Sequence, residues 1–464
     1  MKLTRLVFAA AIVAILAVSI FAQKRSVDLV ILGGTVVTMD GSMRVIENGG
    51  IAVENSKIVA VGTDAEIRNA YAGRSSIDAK GKAVIPGLIN THTHIPMTVF
   101  RGVADDLDLQ EWLTKYIFPA EAKNVNEEMV RIGTRLGLAE LIRGGTTTYC
   151  DMYYFEDVIA EETAKAGVRG VLGETLIDFP APDNKTWADA MAYADKFAKK
   201  WKGHELIVPA IAPHAPYTVS EEHLKATREL ADSHGVPLVI HLAEAQSEVD
   251  YVRENKKMRP VEYVSKIGLL DGSTIAAHVI KVNDAELDIL KKAGVGIAHN
   301  PQSNMKLAAG VAPVPSMLAK EMNVGLGTDG PASNNDLSLW EEMDTAAKLH
   351  KVFSGDPKVV SAEQAFAMAT IGGARALHIA HRTGSLEKGK LADIVIVGLD
   401  GLHQTPLYKI YSHLVYATKS SDVETVVIHG RVVMLDRRLL TLDEAAVKRD
   451  ANALAKKIIE SLKD

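Results

Sequence analysis

The chain has 464 residues, 47% hydrophobic and 24% charged, with a formal net charge of −6. Such a length holds one large domain with a satellite, or roughly two to three ordinary domains. No low-complexity tract or short repeat is present, and mild acidity without a basic stripe argues against nucleic-acid binding through phosphate neutralisation.

The chain opens with Lys2 and Arg5 ahead of an apolar run from Leu6 to Ala22 that ends in small residues. That is the layout of a secretory signal peptide over residues 1–22, cut after Ala22, and it predicts a periplasmic or secreted protein. An uncleaved anchor is the alternative, because the run is near the lower length limit for spanning a bilayer. No later segment is apolar and long enough to span. The only cysteine, Cys150, cannot form an internal disulfide and reads as a buried, inert thiol.

Residues 23–85 read as short strands, "VDLVILGGTVVTMD" then "GGIAVENSKIVAVG", with the reversal at Glu54 to Lys57. From 86 to 382 apolar strands alternate with helical patterns. The strands are "GLINTHTH", "GGTTTYCDM", "VRGVLGETLI", "LIVPAIAPHAPY", "PLVIHLAE", "STIAAHV", "GVGIAHNP" and "NVGLGTDG". Helices such as "NEEMVRIGTRLGLAELIRGG" and "SEEHLKATRELADSHG" separate them. This order predicts an α/β fold, a (β/α)8 TIM-like barrel, and continuous apolar runs fit a parallel sheet buried on both faces. A doubly wound open sheet is the alternative, but no G-x-G-x-x-G follows the first strand. Residues 383–440 return to strands, "GKLADIVIVGLD" and "VETVVIHGRVVMLD". They complete a small β-sandwich domain built from both N- and C-terminal segments. Residues 441–464 have the spacing of a terminal helix.

In a strand, residues i and i+2 share a face, so His92 and His94 project together from the end of the first barrel strand. Barrel enzymes keep their chemistry at that end. Polar residues recur there: His214 on the fourth strand, His241 and Glu244 on the fifth, His278 on the sixth, Asn300 on the seventh, Asp329 on the eighth. A lone strand histidine is usually structural. Imidazoles and carboxylates gathered at one rim make a site. Three neutral imidazoles and a carboxylate suit one divalent transition ion, zinc first and iron second.

The motifs "NTHTH", "HLAE", "AAH", "HNPQSNMKL" and "GTDGPASNN", with "MTVFRGVADDLDLQEWL", resemble the amidohydrolase superfamily. Within its cytosine-deaminase and triazine-hydrolase branch they are most similar to the methylthioadenosine and S-adenosylhomocysteine deaminase group. The likeness runs from about Val27 to the final helix. It is highly specific for superfamily and branch, and much less so for substrate.

The resemblance implies one metal ion on His92, His94, His241 and Asp329. Dinuclear members need a bridging carboxylated lysine or glutamate, typically on the fourth strand, where "APHAPY" offers only His214. It also implies catalytic roles. The metal lowers the pKa of a water, Asp329 takes its proton, and His278 orients it. Glu244 protonates the ring nitrogen of an aminated heterocycle before ammonia leaves. Glu244 lies three residues after His241, so the chain must bend to bring both to one side; a solvated carboxylate at a helix start is the alternative. His214 and Glu121 match positions that hold the ribose in those deaminases, although a helix N-terminal carboxylate explains Glu121 equally well. Trp112 walls the pocket or belongs to the core, and Asn300 and Asn304 either face the site or shape the loop after the seventh strand.

One departure stands out. S-adenosylhomocysteine-type enzymes place an arginine near the end of the third strand, where "GETLID" carries Glu174 and the following loop has no arginine. A carboxylate there would repel the homocysteine carboxylate, and Lys185 is a weaker clamp than a bidentate arginine. The expected activity is hydrolytic deamination of a purine nucleoside of adenosine or methylthioadenosine type, or a related heterocycle. The partner is that small molecule, with no nucleic acid and no membrane span after signal cleavage; a homo-oligomer stays open. A triazine, guanine or pterin hydrolase of the same branch is the alternative, and a non-catalytic exported binding protein a further one.

Overall fold

The computed structural model describes residues 24–463. The expected signal peptide lies outside the described residues.

The first strands are β1 (Arg25–Val37), β2 (Val45–Glu54), β3 (Lys57–Thr63), β4 (Tyr71–Asp78) and β5 (Lys82–Pro86). β2 turns into β3 at Asn55 and Ser56, both with positive φ (47° and 65°), as a two-residue hairpin requires. The long β1 pairs with β4 along its first half and with β5 near its end.

The barrel strands follow: β6 (Leu88–Thr93), β7 (Thr146–Tyr153), β8 (Arg169–Leu176), β9 (Ile207–Pro213), β10 (Leu238–Leu242), β11 (Thr274–His278), β12 (Gly296–His299) and β13 (Asn323–Leu326). They form an eight-stranded sheet in sequential order, with parallel neighbours throughout. The N–H groups of Thr328 and Asp329 close the ring on the His92 carbonyl, at 3.1 and 3.0 Å. Gly327 makes that seam possible. A Cβ there would sit 2.3 Å from Asn300 Oδ1 and 2.8 Å from the His92 nitrogen. Almost every strand residue is buried, because helices cover the outside and side chains fill the inside.

Beyond the barrel come β14 (Ile394–Gly398), β15 (Val423–Ile428), β16 (Arg431–Leu435) and β17 (Arg438–Leu439). β14 runs antiparallel to β5, so strands from both ends of the chain share one nine-stranded sheet. Its core is aliphatic, with Ile31, Val36, Ile51, Ile58, Val84, Ile394 and Val427 fully buried. A buried ion pair ties this sheet to the barrel. Arg169 on β8 meets Asp393 at 3.2 Å, and Asp393 also accepts from Thr383 Oγ1 (2.7 Å) and the His429 N–H (2.8 Å). Those added donors are what a buried carboxylate needs. The terminal helix, Glu444–Ser461, starts at the Asp443 cap and buries Val447, Leu454 and Ile458. Among the described residues no helix is long and apolar enough to cross a membrane.

Candidate metal centre and active site

Strand alternation sends His92 and Asn90 to one side of β6, and His94 follows at its tip. His92 is fully buried, and among the described residues neither of its ring nitrogens makes a well-formed hydrogen bond. Its ring stands 4.9 Å from that of His94, 5.0 Å from His241 and 5.5 Å from His278, centroid to centroid. Asp329 Oδ1 lies 3.4 Å from His92 Nε2 and 3.2 Å from His94 Nε2. One ligand atom each from His92, His94 and His241 fall within 4.8 Å of one another, and so do those of His92, His278 and Asp329.

Second contacts aim these rings. His94 Nδ1–H donates to the Met152 carbonyl at 2.6 Å, and His241 Nδ1–H to the His214 carbonyl at 2.9 Å. Both rings therefore turn Nε2 inward, the nitrogen that binds a metal once it carries no proton. His278 Nδ1–H donates to Asn304 Oδ1 at 2.9 Å, which turns its Nε2 inward as well. Asp329 is held on its other oxygen by Ser303 Oγ at 2.6 Å and Ser333 Oγ at 3.0 Å.

Burial pushes His92 down to about 4 and His214 to about 3, and holds His241 well below the usual range. Burial acts the same way on His94, but the Asp329 hydrogen bond and charge, with Asp151, outweigh it and lift that ring to about 9. A carboxylate that draws a proton this strongly draws a cation for the same reason. The orphaned nitrogens of His92, the neutral rings of His92 and His241, and one anchored carboxylate fit a divalent ion that would take the place of the His94 proton, and His92, His94, His241 and Asp329 would hold it.

Beside this cluster opens a solvent-connected cavity lined by His94, His214, His241, Glu244, His278 and Asp329, among others. Glu244 does face it. Ala243 takes a left-handed φ of 53°, which supplies the bend the spacing demands. Glu244 Oε1 then lies 3.8 Å from His278 Nε2, and burial pushes its carboxyl up. Glu121 also lines the cavity, accepts the Tyr153 hydroxyl at 2.7 Å, and is carried by burial to about 7. His214 reaches Thr218 Oγ1 through Nδ1, at 2.9 Å.

Other expectations need amending. Glu174 does not face the cavity. It precedes cavity-lining Thr175 on β8, and alternation turns it outward, where its carboxylate accepts from the Glu156 N–H (3.0 Å) and Asn184 Nδ2 (3.4 Å). Glu174 therefore says nothing against a homocysteine carboxylate. Lys185 is spent on the Ala181 and Pro182 carbonyls. Asn304 serves His278 through its side chain rather than folding onto its own loop. Trp112 is at once buried and a wall of the cavity, on a π-helical turn over Trp112–Ile117, and its indole N–H has no hydrogen-bond partner among the described residues. Cys150 is buried, and its thiol is raised by that burial, as an inert core thiol should be.

Sequence reasoning missed Tyr153, Thr175, Tyr217, Ser303 and Ser333. Tyr153 and Thr175 end β7 and β8 at the same rim as His94, so the rim rule applied to every strand finds them. The serines lie outside the strands and carry no periodic signal.

A parallel barrel with histidines and an aspartate converging at its C-terminal rim defines a metal-dependent hydrolase. The chain belongs to the amidohydrolase family, whose model matches residues 83–433. It is 47% identical over 431 residues to a 5-methylthioadenosine/S-adenosylhomocysteine deaminase of Syntrophobacter fumaroxidans, covering 93% of this chain and 98% of that protein. It is 46% identical over 409 residues to a 5'-deoxyadenosine deaminase of Methanocaldococcus jannaschii, covering 87% and 95%. A crystal structure of an adenosine deaminase from Xanthomonas campestris with bound zinc superimposes with a TM-score of 0.93 at 38% identity, over 94% of this chain and all of that one.

Proposed function

We propose that this protein is a mononuclear zinc-dependent deaminase of adenosine-type nucleosides, converting the 6-amino group to a carbonyl with release of ammonia. The observation that carries this is the convergence of His92, His94, His241 and Asp329 beside a buried acid, Glu244, in one cavity. The ion, when bound, supplies Lewis-acid activation of water at neutral pH.

The remaining work belongs to side chains. Glu244, whose carboxyl is pushed up by burial, donates a proton to the ring nitrogen and makes the adjacent carbon electrophilic. Asp329, fixed by Ser303 and Ser333, accepts the proton of the attacking water and later returns it to the departing amine. His278, oriented by Asn304 through Nδ1, aims Nε2 at the oxygen and stabilises the charge that develops there when that nitrogen also carries a proton. Glu121 and His214 take the ribose hydroxyls.

The cavity also speaks to the 5′ substituent. Leu109, Trp112, Leu113, Ile117, Phe118 and Leu307 line it, and among the described residues no lysine or arginine does. A neutral or apolar tail is favoured there, because a carboxylate would lose its hydration without a cation in return. The expected order is therefore methylthioadenosine, 5′-deoxyadenosine and adenosine ahead of S-adenosylhomocysteine.

Ultraviolet assay of these four, with guanine, a pterin and an aminotriazine, on protein holding one zinc per chain tests the reading. Turnover of the triazine, guanine or pterin with no nucleoside activity would move the enzyme elsewhere in the branch. Absence of any turnover would favour a binding protein. Two tightly held ions per chain would refute the single-metal assignment.

We further propose export, on the strength of the charged and apolar pattern in the first 22 residues. The native protein should begin at Gln23, and cytoplasmic material with an intact Met1 would refute this.

A further inference from the structure

Immediately after the turn that presents Glu244 runs the helix Gln246–Lys256, and its third residue is Glu248. Glu248 is 2% exposed. Its two carboxylate oxygens accept separate backbone N–H groups, Oε1 from Ala243 at 2.8 Å and Oε2 from Glu244 at 2.9 Å.

A glutamate at this position of a helix ordinarily folds back onto the N–H of the capping residue. Here the cap is Ala245, whose side chain cannot bond, and Glu248 reaches past it to the two residues before. Those two are the left-handed Ala243 and the acid itself. The Ala243 carbonyl is pinned in turn by the N–H groups of Ile280 and Lys281, at 2.9 and 2.8 Å, from the segment just beyond His278. The turn is thus clamped at its carbonyl by one strand end and at its N–H groups by Glu248.

We infer that Glu248 is a positioning residue for the proton donor: its bidentate grip on the Ala243 and Glu244 amides holds the left-handed turn that aims Glu244 into the cavity. The inference rests on the role of Glu244 proposed above. A carboxamide cannot replace this grip, because its NH₂ would oppose one of the two N–H donors. A 1 Å misplacement of a reacting group costs about 10²-fold in rate.

The test is a double-mutant cycle on zinc-loaded full-length protein, measuring kcat, KM and bound zinc. E248Q should lose about 10²-fold in kcat with KM and zinc content near wild type. E248D, which keeps two acceptor oxygens, should recover part of that loss and guards against a variant that fails to fold. The double variant E244Q/E248Q should be no slower than E244Q, since a residue acting through another adds nothing once that other is gone. Full multiplicative loss in the double variant, or a wild-type kcat in E248Q when E244Q is slow, overturns the inference. A fast E244Q instead overturns the acid assignment, and the positioning role falls with it.

Discussion

The rims of β8 and β10 each carry a buried glutamate, and the two have opposite fates. Glu174 lies on a strand that runs straight to Leu176, so period-two alternation places Thr175 toward the cavity and Glu174 behind it. Alternation would likewise turn Glu244 outward, three residues after inward-facing His241. The left-handed Ala243 reverses that outcome, at a cost of about 1–3 kcal/mol for a non-glycine residue. The same side chain in similar burial is the proposed proton donor in one place and a structural carboxyl in the other. Backbone conformation at a single alanine separates them.

The comparison is sharpest at Glu244. Replacing it with glutamine keeps shape and metal but removes the acid, so kcat should fall by about 10²–10⁴-fold while zinc content stays near wild type. Single-turnover and steady-state rates, with elemental analysis alongside, decide it. A rate within a few-fold of wild type would make Glu244 as bland as its counterpart on β8.

The same contrast shows what could be read without coordinates. His92 and His94 were legible because strand periodicity and the barrel's C-terminal rim together place them. The hairpin at Asn55 and Ser56 was legible from turn chemistry, and the eight barrel strands from their apolar runs. Glu174 was read from its place in the chain, when parity along β8 already turned it away. The inward swing of Glu244 could be demanded but not located, because alanine gives no sign of a left-handed φ. Trp112 resisted a single assignment because its π-helical turn breaks the 3.6-residue period on which core and surface are distinguished. Ser303 lies on the short helix Pro301–Lys306 and Ser333 in the turn after Asp329, and only the fold brings them to one carboxylate oxygen.

Glu174→Gln provides the smaller effect, in stability rather than turnover. Burial, then the neighbouring Asp183, raises the Glu174 carboxyl well above its ordinary value of 4.5. The folded state therefore keeps a proton that the unfolded chain releases once the pH passes that value. A group raised in this direction contributes its full stability below about pH 4.5, and loses it as the pH climbs toward the folded-state pKa. Glutamine mimics the protonated carboxyl and does not titrate. Its amide oxygen can still accept the Glu156 N–H, while its NH₂ can face Asp183. Thermal unfolding followed from pH 4 to pH 8 should show the variant gaining on wild type as pH rises, with each pKa unit worth about 1.4 kcal/mol. Turnover should remain within about twofold, as expected for a side chain outside the cavity. Parallel unfolding curves would mean that Glu174 is ionised in place. A large loss of kcat at unchanged stability would mean that it reaches the substrate after all, and the distinction between the two rims would fail.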